Sequence, residues 1–115
     1  MQERRGFVAT SNDFVEYVCG VIAETGSVTC RKMFGEYMVY VNRKPLLLVC
    51  DNTVFVRILP ETERLLADAE RGFPYEGAKE HFILDIDDAP LACETVRALE
   101  PVVPIPKPKK RKPIK

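Results

Sequence analysis

Between Val28 and Ile58 the chain holds four β-prone runs packed so closely that each can only turn back on the one before it. The runs are residues 28–33, 36–41, 46–50 and 53–58, and the links "NRKP" and "DN" are short and turn-prone. Neighbouring runs are therefore expected to pair as antiparallel hairpins. Tyr37, Val39 and Val41 share one face of the second run, and Val54, Val56 and Ile58 share one face of the fourth, the alternation of half-buried strands. "LLLVC" is apolar on both faces, which places the third run in the middle of the sheet.

Helical periodicity brackets this meander. Phe14, Val15, Val18, Cys19 and Ile22 repeat at helical spacing, with Asp13 and Glu16 placed as a capping box and Gly26 as the stop. "PETERLLADAERG" reads as a second helix, with Pro60 near its start, Leu65, Leu66 and Ala69 on one stripe and Gly72 closing it. After the loop "FPYEGAKE", "HFILDI" alternates as a strand, and Asp87 or Asp88 can cap a third helix bearing Leu91, Ala92, Thr95, Val96 and Leu99. The order α-β-β-β-β-α-β-α predicts an α+β fold in two layers, a mainly antiparallel sheet of about five strands with helices on one face.

A chain of 115 residues fits one domain, because domain sizes peak at about 100–150 residues. The folded unit is expected over residues 1–103, and residues 104–115, rich in proline and cations, are expected to form a disordered basic tail. No apolar run approaches the ~20 residues of a membrane span, and no signal-peptide core is present, so a cytoplasmic location is expected. The net charge of zero conceals an asymmetry. Residues 1–106 carry 11 bases against 17 acids, and the last nine positions carry six bases and no acid. Body and tail thus have separate electrostatic roles. Cys19, Cys30, Cys50 and Cys93 form no CxxC pair and sit among apolar neighbours, which points to reduced structural thiols and away from zinc or a redox dithiol.

The most densely marked stretch is "RKMFGEYMVYV", Arg31 to Val41. Gly35 can adopt positive φ, closing a turn or forming a bulge, so it is a backbone-critical position. Arg31 and Lys32 fall on opposite faces of an extended run, so at most one is expected to project from the solvent face, the other laying its stem on apolar surface and pairing with Glu36 or another acid.

"FVEYVCGVI", "VTCRKMFGEYMVYVNRKPLLLVCDNTVFVRI" and "YEGAKEHFILDID" resemble, in order and spacing, the N-terminal domain of the TfoX (Sxy) family of bacterial competence regulators, over about residues 11–100. "RKMFGEY" is the most specific element, supported by "YEGAKEHF" downstream. The resemblance implies a two-layer α/β fold and regulation of transcription through protein contacts. Two departures stand out. Met38 and the turn "NRKP" occupy places where the family often has glycine. Full-length members also have a C-terminal helical domain, whereas this chain ends in the basic tail, so it resembles a short member.

No catalytic constellation is visible. His81 stands alone, and "DIDD" lacks the spacing and glycine of a calcium loop, so helix capping and solvation explain it better. No glycine-rich phosphate loop is present, and neither a metal nor a cofactor is expected. The leading expectation is a non-enzymatic regulatory or adaptor module that contacts a protein of the transcription apparatus through an edge containing Arg31, Lys32, Glu36 and Tyr37. The alternative is nucleic-acid binding by Lys107, Lys109, Lys110, Arg111 and Lys112, whose cations can release counterions from phosphates, set against a tail that folds back on its own acidic body. A small-molecule-binding domain is the third reading, and an exposed sheet edge leaves homodimerisation open.

Overall fold

A computed structural model describes residues 11–33 and 36–106. Helix α1 (Asn12–Val21) opens at Ser11, whose Oγ accepts the Phe14 N–H at 3.1 Å. The expected Asp13/Glu16 capping box is therefore corrected: the helix starts sooner, and Asp13 lies in the first turn, where its charge meets the positive end of the helix dipole. Val15, Val18 and Ile22 are buried as the periodicity requires. A 3-10 turn (Ala23–Thr25) separates α1 from Gly26, so that glycine does not stop the helix directly. Its role is close approach. A Cβ at Gly26 would lie 2.8 Å from the side-chain amide of Asn42, whose Oδ1 accepts the Ser27 N–H at 3.0 Å.

Strands β1 (Val28–Met33), β2 (Glu36–Val41), β3 (Lys44–Cys50) and β4 (Thr53–Arg57) follow as a meander. Gly35 lies outside the described residues. The β2–β3 link is two residues, not the four of "NRKP", because Lys44 and Pro45 already belong to β3. Both inner hairpins turn on left-handed pairs, Asn42 and Arg43 (φ 52° and 70°) and Asp51 and Asn52 (φ 51° and 53°). Two such residues match the twist of adjoining strands, and Asn and Asp tolerate that conformation better than most.

Helix α2 (Pro60–Leu66) is held by Thr62, which is fully buried; its Oγ accepts the Leu59 N–H at 2.9 Å and donates to the Arg57 carbonyl at 2.7 Å. Thr62→Val should cost about 1–3 kcal/mol in denaturant unfolding, because both backbone groups lose their partner; an unchanged midpoint would show that water replaces the hydroxyl. The helix stops well short of Gly72. That residue belongs instead to a two-residue strand, β5 (Arg71–Gly72), where a Cβ would meet Ile83 Cδ1 at 3.2 Å and Phe55 Cε1 at 3.4 Å. Glycine there lets a short strand close against its neighbours. β6 (His81–Leu84) and α3 (Ala89–Leu99) complete the chain, with Asp88 accepting the Leu91 N–H at 3.2 Å as the cap.

Among the described residues the sheet has six strands in the order β1-β2-β3-β4-β6-β5, every pairing antiparallel. The sixth is β5, too short to leave a period in the sequence. β3 is interior, as its two apolar faces require. Pairing puts Val39 with Leu47 and Val56 with Phe82, all fully buried beneath the helices. α3 adds Ala92, Thr95, Val96 and Leu99 to this core, and Lys44 ties the β2–β3 turn to the end of α3 through the Glu100 carbonyl (2.6 Å) and carboxylate (3.2 Å). On the opposite face one row crosses five strands as Arg31, Met38, Leu48, Phe55 and Ile83.

Candidate partner-binding edge

β1 stands at one end of the strand order, so among the described residues only β2 flanks it. Its central four residues, Thr29 to Lys32, are all exposed. Pairing of Arg31 with Met38 puts Arg31 on the helix-free face, and pairing of Lys32 with Tyr37 puts Lys32 on the helix face. The two cations thus occupy opposite faces, as alternation requires, yet both reach solvent. An interior strand would have had one face sealed; β1 meets α1 near Cys19 and Cys30, yet both of its cations stay exposed. Neither cation forms an ion pair among the described residues, and the expected pairing with Glu36 does not occur.

The structure divides the remaining marked residues. Glu36 is half-buried at the far end of β2 and lies near Cys50. Tyr37 is 8% exposed, and its hydroxyl donates to Asn12 Oδ1 at 3.1 Å, holding the start of α1 against the sheet. It stands behind the edge and supports it. The residue that sequence reading missed is Arg43. With Thr29, Cys30, Arg31 and Tyr40 it lines a shallow recess of about 250 Å³ beside β1. Its place in the β2–β3 turn, twelve positions from Arg31, hides this proximity in the sequence. Lys107, Lys109, Lys110, Arg111 and Lys112 lie outside the described residues.

The other candidates for chemistry have structural roles. His81 holds Nδ1 2.7 Å from the Lys79 carbonyl and turns its ring edge-on to Phe55. In "DIDD", Asp88 caps α3, Asp87 accepts the Tyr17 hydroxyl at 2.5 Å, and Asp85 accepts the Asp87 N–H at 3.1 Å. The hydrogen bond to Asp87 raises the Tyr17 pKa, because ionising the phenol would remove the donated proton and also set two negative charges together. No group of three or more His, Cys, Asp or Glu that could hold a metal occurs among the described residues.

The four thiols are free but not equivalent: Cys50 and Cys93 are buried, Cys19 is half-buried and Cys30 is exposed on β1. Burial, then the neighbouring Cys30 thiol, push Cys19 up to about 11, and burial, then Glu36, push Cys50 up to about 12. Thiolate is the reactive form, so iodoacetamide at pH 8 should modify Cys30 first and Cys50 among the last, as peptide mass spectrometry would show. Rapid modification of Cys50 in the folded protein would contradict this burial. Both folded pKa values exceed the ordinary 9.0. Their contribution to stability is accordingly intact below pH 9 and declines as pH rises from 9 through 11 and 12, because the unfolded chain releases those protons first.

An antiparallel sheet backed by helices on one side, with a cationic end strand and no assembled catalytic group among the described residues, makes this a small α+β module. The TfoX N-terminal domain profile matches residues 21–89, and the chain belongs to that family. The family comprises non-enzymatic regulatory modules that act through protein contacts. The chain is also similar to the "Uncharacterized 12.7 kDa protein in trpE 5'region" of Spirochaeta aurantia, 30% identical over 107 residues that span 91% of this chain and 93% of the relative. No helix among the described residues is long and apolar enough to cross a membrane.

Proposed function

We propose that this protein is a cytoplasmic adaptor that regulates transcription by docking a protein of the transcription apparatus on its β1 edge. Arg31 and Lys32 make the contact, Glu36 borders it, and Tyr37 braces it from the helix side. One observation carries this reading: two exposed cations without ion partners among the described residues lie at consecutive positions, one on each face, of the end strand of an otherwise acidic body. The packing reaches Val103, which is 3% exposed and whose N–H returns to the Leu99 carbonyl at 3.0 Å. The cations of residues 107–115 assist at nucleic acid.

Affinity capture from the native cell, with the full chain and with a chain ending at Val103, tests this directly. The same protein partner should be retained by both forms. Recovery of nucleic acid alone, lost on truncation, would favour the second reading, in which Lys107, Lys109, Lys110, Arg111 and Lys112 bind phosphates. That binding would weaken steeply with salt.

A further inference from the structure

We propose that β1 receives an extended acidic segment of the partner protein as a seventh strand of the sheet, with its carboxylates meeting Arg31, Lys32 and Arg43. This rests on the adaptor reading and gives its contact a chemistry. The phase of the β1–β2 ladder comes from the Asn42 N–H, which donates to the Ser27 carbonyl at 2.8 Å. Hydrogen-bonded and non-bonded pairs alternate in an antiparallel ladder. With Val28 opposite Val41 and Met33 opposite Glu36, the bonded pairs are Thr29 with Tyr40 and Arg31 with Met38. The N–H and C=O groups of Val28, Cys30 and Lys32 therefore point away from β2.

Alternating donors and acceptors along an edge match another peptide strand, which supplies both. A phosphodiester backbone carries acceptors only and would leave the outward carbonyls unanswered. Charge narrows the choice further. Residues 26–50 hold four cations and one acid, whereas the rest of residues 1–106 hold seven cations and sixteen acids. A second copy pairing through β1 would bring its own Arg31 and Lys32 against these. Neither terminus of this chain complements the edge, because residues 1–10 contain Arg4 and Arg5 with one acid and residues 107–115 contain no acid. The complementary strand thus comes from another protein. Two consecutive acids, one on each face, would meet Arg31 and Lys32 together, and the recess between Arg31 and Arg43 accepts the first. Edge cations also serve to repel chance strand pairing; an acidic strand is the one that turns this repulsion into selection.

The test is selection of displayed random seven-residue peptides on the full chain, followed by synthesis of the enriched sequence as the probe. Enriched peptides should be acidic and β-branched, and the probe should slow amide exchange at Val28, Cys30 and Lys32. Affinity should fall tenfold or more in Arg31→Glu/Lys32→Glu. It should fall comparably in Cys30→Pro, which removes the central outward N–H and leaves every charge in place. Unchanged exchange protection in β3 and β4 verifies that each variant is folded, and Arg31→Ala/Lys32→Ala serves where charge reversal disturbs folding. Neutral or basic enriched peptides, protection at other strands, or protection of these same amides by an oligo-dT strand or by a second copy would overturn the proposal. A cellular partner still held by Cys30→Pro would leave the adaptor reading intact and remove strand addition alone.

Discussion

Phe82→Ala should destabilise the protein by about 3–5 kcal/mol, the cost of truncating a large, fully buried aromatic side chain. Phe82 has no exposed surface, lies on β6 opposite Val56 on one side and Arg71 on the other, and carries the Arg71 guanidinium 5.0 Å above its ring. It therefore joins the last pairing of the sheet to the core beneath the helices. Small domains have net stabilities of about 5–15 kcal/mol, so this loss is large enough to populate the unfolded chain under mild conditions. Phe73 is 62% exposed, and Phe73→Ala should change stability by less than about 0.5 kcal/mol. Urea unfolding of both variants checks the contrast. Equal midpoints would mean that Phe82 is not the keystone described here.

The second large effect concerns recognition and leaves stability aside. Arg31→Glu/Lys32→Glu should weaken partner binding roughly tenfold or more, chiefly by slowing association and reversing its salt dependence, as charge changes at a contact rim do. The unfolding midpoint should hardly move, because neither side chain has an ion pair among the described residues and both are exposed. Surface substitutions of this kind stay within about 0.5 kcal/mol. Binding kinetics measured at two ionic strengths, beside a denaturation curve, separate the two effects. A loss of stability as large as the loss of binding would assign these cations to the fold.

Much of the architecture was legible in the sequence because the local signals agreed with one another. The hairpin runs carried period-two alternation, the helices carried apolar stripes, and "LLLVC" named the central strand by its apolar faces. The misses have specific causes. β5 has two residues, which cannot display a period, and Gly72 resembled a helix stop although its small size serves strand packing. Asp13 resembled a cap because Ser11 came first only by two positions, and capping depends on which residue leaves the helix. Within the candidate edge, alternation correctly separated Arg31 from Lys32, but no local pattern reveals which strand ends a sheet. That knowledge is what turns one expected solvent-facing cation into two. Tyr37 looked like part of the same motif by sequence proximity, although one step along a strand reverses the face and sends its ring under α1. Arg43 was invisible for the opposite reason, being distant in sequence and adjacent in space.

The most direct measurement of the central claim is photo-crosslinking in the native cell, with the reactive side chain placed at Thr29 on the open edge and, separately, at Glu63 on the exposed side of α2. Thr29 should yield one discrete protein adduct that disappears when Arg31→Glu/Lys32→Glu is combined with it, while Glu63 yields none. The same adduct from Glu63, or an adduct at Thr29 indifferent to the reversed charges, would contradict an adaptor that works through β1.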